Sequence, residues 1–112
     1  MTLPFSIFAL LLFSQVAWGS EILSSPDDRQ LKLLTNNCIQ CHSRPETGAP
    51  TMGVAEDWTE VRKQGEALTL INVVEGIRGM PPLGYCSACS VGDLKVLTRF
   101  ISGIPSNKGG QL

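Results

Sequence analysis

The sequence predicts an all-α domain of three or four helices. Residues 66–77 carry apolar side chains at steps of three and four, the period of a helix with one buried side. Helix-start signals stand at Ser25 and Ser90. No segment alternates apolar and polar residues as a convincing strand would. We therefore expect one small helical domain without internal repeats.

The first helix is predicted over residues 26–38. Ser25 supplies a hydroxyl cap, and Pro26 lies in the first turn, followed by two carboxylates near the positive end of the helix dipole. Leu31 and Leu34 give this helix an apolar face. The helix then runs directly into a cysteine-rich motif.

Beyond that motif we expect a loop and then a short helix followed by a longer one. Prolines and glycines interrupt residues 43–53, and residues 58–64 can form the short helix. The longer helix is predicted over residues 66–77. Its apolar positions are Ala67, Leu70, Ile71, Val74 and Ile77.

The last helix opens with a capping-box pattern at Ser90 and Asp93. It continues toward Gly103 with apolar residues at helical spacing, namely Leu94, Leu97, Phe100 and Ile101. The ordered core is therefore expected over about residues 25–103, followed by a flexible C-terminal tail.

Residues 1–19 are predicted to be a cleavable secretory signal peptide. An apolar run from Phe5 to Phe13 precedes Ala17-Trp18-Gly19, a small-x-small cleavage pattern. The run is far shorter than the roughly 18 to 20 residues of a membrane span, and an uncleaved anchor is the alternative. Residues 20–112 then form a single exported domain, with no membrane span after processing. The expected location is the periplasm.

The charge pattern excludes one class of partner. The chain has 9 basic and 10 acidic residues, which gives a formal net charge of −1. Apart from Arg62 and Lys63, the cations are scattered singly. Nucleic-acid binding is therefore not expected, and the charges are interpreted as an ordinary solvated surface.

The motif Cys38-Ile39-Gln40-Cys41-His42 indicates the chemistry. Two thiols separated by two residues can add across the vinyl groups on one edge of a porphyrin, and the imidazole that follows can bind its iron. His42 is the only histidine in the sequence. We therefore predict one covalently bound haem c, attached at Cys38 and Cys41 and ligated by His42.

The second cysteine pair, Cys86 and Cys89, has no adjacent histidine. Residues three apart in a turn lie within about 7 Å, which is compatible with the roughly 4.4–6.8 Å between bridged Cα atoms. We therefore predict a disulfide that fixes the chain path just after Met80. The alternative is a four-thiolate zinc site shared with the first pair, which an oxidising compartment disfavours.

A second axial ligand from the protein would close the iron site and favour electron transfer. Met80 is the favoured residue because it follows a glycine-flanked arginine and precedes Pro81-Pro82, where a continuous helix is prevented. It also lies far enough from His42 for the chain to wrap the ring edge. Met52 is closer to the motif and is expected to fill the core, and Lys63 is a remote alternative.

Three further residues are expected around the haem. The carbonyl group of Pro50 can accept a hydrogen bond from the ligating imidazole. The indole N–H of Trp58 can donate to a haem propionate, and Arg62, one turn later, can pair with its charge. Ordinary core and surface roles are the alternatives for Trp58 and Arg62.

These residues together resemble the bacterial cytochrome c5 family over about residues 34–102. The matching segments are Cys38-x-x-Cys41-His42, Gly48-Ala49-Pro50 with Gly53 and Trp58, Gly79-Met80-Pro81-Pro82, and Cys86-x-x-Cys89. The resemblance implies the class I cytochrome c fold wrapped around one covalent haem. It also implies His42 and Met80 as axial ligands, a disulfide in the second cysteine pair, and an electron carrier in the periplasm.

Three positions depart from the pattern that the resemblance implies. Gln30 and Leu34 stand where class I cytochromes commonly have a glycine and an aromatic residue, at the crossing of the first and last helices. Val54 stands where this family often has an aspartate. The closeness of the helix crossing is therefore open, whereas the ligands are unaffected.

The expected function is transfer of single electrons between redox proteins, which are membrane or periplasmic oxidoreductases that dock weakly and transiently. No enzymatic activity and no catalytic residue is expected. One alternative is a haem-bearing electron-entry subunit of a larger oxidoreductase. Another is an open-site haem enzyme or sensor, which is disfavoured because the sequence has no second histidine to assist bond cleavage.

Overall fold

The computed structural model describes residues 25–105, and the predicted signal peptide and the tail beyond Pro105 lie outside this range. Its α-helices are α1 (Asp28–Leu33), α2 (Ile39–His42), α3 (Thr59–Gln64), α4 (Glu66–Glu75) and α5 (Val91–Ser102). In residues 25–105 there is no β-strand, only an isolated bridge between Ile77 and Met80. The predicted all-α fold is confirmed. None of the helices in this part of the chain is long and apolar enough to cross a membrane.

Helix α1 begins two residues later than its sequence signals suggested. Asp27, and not Ser25, is the N-cap: its carboxylate accepts the backbone N–H of Gln30 at 2.7 Å. The Gln30 side chain accepts the backbone N–H of Asp27 at 3.0 Å in return. A carboxylate with a reciprocal partner three residues on satisfies two backbone donors, which a lone hydroxyl cannot.

The first helical stretch also ends later than predicted, at residue 42 and not 38. A π-helical turn, Leu34–Cys38, joins α1 to α2 without interruption. Thr35 and Asn37 donate side-chain hydrogen bonds of 2.9 Å to carbonyl groups four residues earlier. Each of these side chains therefore bonds back onto the preceding helical turn, a contact that competes with the backbone hydrogen bonds and often bends a helix.

In helix α4 the positions buried against other parts of the chain are not the apolar set that the sequence pattern singled out. Glu66, Thr69 and Leu70 are buried, and only Leu70 among them belongs to the predicted apolar set. Ile71 and Val74 from that set are 48% and 37% exposed. The helix also ends at Glu75 instead of residue 77, because Gly76 takes up φ +84° and ψ 154°, outside the helical region.

Helix α5 matches its sequence pattern closely. Ser90 and Asp93 form the predicted capping box, with bonds of 3.1 and 3.0 Å between side chains and backbone N–H groups. Leu94 and Leu97 are buried. Phe100 is 48% exposed. The apolar spacing therefore gave the core-facing side of α5 correctly, but not the position of Phe100.

Asp93 also ties the last helix to the first. Its carboxylate is buried and accepts two hydrogen bonds from Arg29, at 2.6 and 3.0 Å, and one from Gln30 at 3.0 Å. These hydrogen bonds join α1 to α5. Gln30 contributes one of them, although it stands at a position where the resemblance implies a glycine. Leu34, at the other departing position, is buried.

The hydrogen bonds to Asp93 predict that the stability of the fold depends on pH. The hydrogen bonds from Arg29, then from Gln30 and the Ser90 backbone, hold the pKa of Asp93 well below its usual range. Because the pKa of this carboxyl group is lower in the folded than in the unfolded chain, its hydrogen bonds stabilise the fold at pH values above the ordinary pKa of about 4. This stabilisation is lost progressively as the pH falls below that value. We expect Asp93→Asn to lower the unfolding temperature at pH 7. The difference in unfolding temperature between this variant and the parent protein should be smaller at pH 3. Thermal unfolding at both pH values measures this difference.

Candidate functional site

The cysteine-histidine motif lies at the junction of the π-helical turn and α2. Cys38 is half-buried and Cys41 is exposed, and both thiols are free. Burial raises the pKa of the Cys38 thiol. Residues three apart on a helix lie on one side of it, so both sulfur atoms can reach the same edge of one flat ring.

The imidazole of His42 is buried and has a fixed orientation. Its Nδ1 lies 2.7 Å from the carbonyl oxygen of Pro50, the partner that the sequence predicted. A carbonyl oxygen only accepts, so Nδ1 carries the proton and donates. The Nε2 lone pair is therefore the one left for a metal.

Trp58 contacts His42, but its N–H has a different partner from the one expected. The two rings are stacked, with centroids 5.4 Å apart and planes inclined by 27°. The indole N–H donates to the backbone carbonyl of Thr51 at 2.8 Å. The structure gives the single indole donor a loop carbonyl as its acceptor, seven residues away in the chain, and the expected hydrogen bond to a haem propionate stays a prediction.

Arg62 lies in α3, one turn beyond Trp58, and is partly exposed. Within residues 25–105 it takes part in none of the side-chain hydrogen bonds and ion pairs that the structure shows. Its neighbour Lys63 pairs instead with Glu60 on the surface, at 2.9 Å. The structure thus brings Pro50 and Trp58 to His42, whereas within residues 25–105 no side-chain hydrogen bond or ion pair joins Arg62 to them.

Met80 lies in a tight turn that follows α4. Its backbone N–H and carbonyl both bond to Ile77, at 2.8 and 3.0 Å. Gly76 makes the turn possible, because a Cβ at that position would lie 2.8 Å from the Met80 carbonyl oxygen. The turn therefore fixes the backbone of Met80. The spacing of residues in the sequence did not predict that Gly76 is needed for this turn.

The segment after Met80 forms a rigid loop. Cys86 and Cys89 are joined by the predicted disulfide, with Cα atoms 5.4 Å apart. Just before it, Leu83 and Tyr85 have positive φ values of 60° and 64°, a region that non-glycine residues rarely adopt. The turn Pro82–Tyr85 contacts both α4 and the π-helical turn, so the loop bridges the helix carrying the cysteines and the helix preceding Met80.

Comparisons with known proteins agree with this arrangement. A family model described as "Cytochrome C oxidase, cbb3-type, subunit III" matches residues 27–101. Cytochrome c5 of Ectopseudomonas mendocina is 31% identical over 74 residues, which are 64% of this chain and 85% of that protein. This chain belongs to the cytochrome c family.

A solved structure extends the comparison to the fold of this cytochrome. The structure is described as "Crystal structure of electron transfer complex of nitrite reductase with cytochrome c". The similarity has a TM-score of 0.61 at 27% identity and covers 70% of this chain and 95% of that one. The class I cytochrome c fold and the resemblance to cytochrome c5 are thereby confirmed.

Family membership assigns a covalently bound haem c to this cytochrome, and its residues fit that group. The chain offers two free thiols, an imidazole whose Nε2 is free to bind, and a thioether in a fixed turn. An exposed apolar row on α4 and just beyond it, formed by Ile71, Val74 and Ile77, leads into the Met80 turn. Such a row is suited to covering the apolar face of a porphyrin.

Proposed function

We propose that this cytochrome is a periplasmic carrier of single electrons, with one haem c attached at Cys38 and Cys41 and ligated by His42 and Met80. The observation that carries the proposal is the buried imidazole of His42, oriented by the Pro50 carbonyl and directly following two free thiols. When bound, haem iron alternates between the ferric and ferrous states and so carries one electron.

Two protein ligands favour electron transfer over chemistry on a small molecule. His42 and Met80 would both ligate the iron, which would leave no coordination position for peroxide or a gas. The sequence contains no second histidine that could serve as a distal acid or base. The chain's own role is then to orient two ligands and keep water away from the iron.

The partners are proposed to be redox enzymes that dock weakly. The similar solved cytochrome was crystallised in an electron transfer complex with nitrite reductase, which supports this class. Residues 79–92, which include Met80, carry no charge, and Tyr85 among them is 80% exposed. Interface centres are depleted in charged residues and enriched in tyrosine, so this uncharged segment is suited to brief contacts with a partner protein.

The periplasmic location is supported by two features. Residues 1–19 have the pattern of an export signal. Cys86 and Cys89 form a disulfide, which persists in oxidising compartments.

An absorption spectrum of the reduced protein, taken beside a haem-stained denaturing gel, tests the proposal. We expect a six-coordinate low-spin ferrous spectrum, haem that stays with the denatured chain, and no change when carbon monoxide is added. A colourless protein would contradict the cofactor assignment. Ready formation of a carbon monoxide adduct would contradict closure by Met80.

The family description favours a second candidate, an electron-entry subunit of a larger oxidase. The same residues would then serve the same chemistry within an assembly. Sedimentation of a gently prepared native extract separates the two functions. A free carrier sediments as a single small domain, whereas a subunit sediments together with oxidase activity.

A further inference from the structure

The loop that contacts His42 is also hydrogen-bonded to two residues that are adjacent in the sequence, Asp57 and Trp58. The backbone N–H of Thr51 donates to the carboxylate of Asp57 at 2.9 Å. The backbone carbonyl of the same residue accepts the indole N–H of Trp58 at 2.8 Å. Both backbone groups of Thr51 are therefore fixed by side chains that follow each other in the chain.

The residues on either side of Thr51 are bonded to His42. Pro50 accepts the hydrogen bond from the imidazole Nδ1 at 2.7 Å, and the backbone N–H of Met52 donates to the His42 carbonyl at 2.6 Å. The Trp58 ring also stacks against the imidazole. The segment Pro50–Met52 is thus hydrogen-bonded both to the histidine and to the Asp57-Trp58 pair.

We propose that Asp57 and Trp58 are positioning residues for the iron ligand His42, acting through the Pro50–Met52 segment. This inference rests on the proposed function, because it requires His42 to bind the iron. A strong hydrogen bond from Nδ1–H to a fixed carbonyl raises the basicity of the ligating imidazole. A more basic ligand stabilises the ferric state, so a firmly held Pro50 carbonyl lowers the reduction potential.

Asp57 offers the cleaner test because its side chain is exposed and its loss opens no core cavity. Asp57→Ala removes the acceptor for Thr51, whereas Asp57→Asn removes the charge but keeps an oxygen that can accept the same bond. Glu56→Ala is the matched control. It removes an equal charge one residue earlier, from an exposed side chain that the structure shows in none of the hydrogen bonds within residues 25–105.

The companion variant Trp58→Phe keeps an aromatic ring beside His42 and removes the N–H donor together with the second ring of the indole. Each purified holoprotein is measured by spectroelectrochemistry, for the reduction potential, and by proton NMR of the ferric form. The spread of the haem methyl shifts reports the orientation of the axial imidazole. We expect a positive shift in potential and an altered methyl spread in Asp57→Ala and Trp58→Phe, and values close to the parent in Asp57→Asn.

The controls separate the possible results. If Asp57→Ala and Glu56→Ala shift the potential equally and leave the methyl spread unchanged, the effect is one of charge and the proposal is wrong. If the variants unfold at lower temperature with parental potential and spread, their role is structural only, which also overturns it. A parent protein without bound haem would instead contradict the proposed function, so the two failures are distinguishable.

Discussion

Met80→Ala is expected to convert a closed iron site into an open one. Without the thioether, the distal position is left to water or to an added ligand, so carbon monoxide should bind the ferrous protein completely where the parent binds none. The ferric charge-transfer band of the methionine-iron bond should disappear. The reduction potential should fall by on the order of 0.1–0.3 V, since axial ligands set haem potentials over about 0.8 V.

Met52→Ala is the matched control, because Met52 is the other methionine within residues 25–105. Its backbone N–H bonds to the His42 carbonyl, and this bond survives a change of side chain. We expect its spectrum and carbon monoxide response to match those of the parent. Loss of the charge-transfer band in Met52→Ala but not in Met80→Ala would exchange the two assignments.

The parts of this site that could be predicted from sequence depend on short separations along the chain. The two thiols and the imidazole fall within five consecutive residues, and the capping box of α5 spans Ser90 to Asp93. The Pro50 carbonyl is only eight residues from His42. At such distances local geometry leaves few alternatives, so residue type and spacing are sufficient.

The other contacts could not be predicted from sequence because each side chain has several possible hydrogen-bond partners. The indole of Trp58 has one donor, and its type does not show whether a loop carbonyl or a propionate accepts it. Asp93 was expected to cap its own helix, and the structure adds Arg29, 64 positions earlier in the chain. The pairing of residues so far apart depends on how α1 and α5 meet, which spacing along the sequence does not encode.

The same limit applies to α4, where the sequence pattern did not predict which residues are buried against the rest of the chain. Its apolar residues occupy more than one side of the helix, and spacing alone does not say which side meets protein. Glu66 is buried and pairs with Arg99 of α5, and apolar spacing does not predict the burial of a charged residue. Ile71 and Val74 then lie on the side suited to a bound cofactor.

Among Gly→Ala substitutions within residues 25–105, Gly76→Ala is expected to disrupt the Met80 turn most. Gly76 has φ +84° and ψ 154°, a combination that is essentially restricted to glycine. The added Cβ would also lie 2.8 Å from the Met80 carbonyl oxygen and 2.9 Å from the Pro82 nitrogen. Both obstacles are backbone atoms that cannot rotate away, so we expect a loss of about 2–4 kcal/mol in the free energy of unfolding.

Gly79→Ala is the control beside it, because a Cβ there meets no atom within 4 Å and the residue does not have a positive φ. Its effect on unfolding should stay within about 0.5 kcal/mol. Denaturant unfolding measures the stability of both variants, and the charge-transfer band measures methionine ligation. Because Gly76 contacts the Met80 backbone directly, its variant should lose both stability and the band, while Gly79→Ala keeps both. A stable Gly76→Ala protein with an intact band would show that Met80 does not depend on this turn.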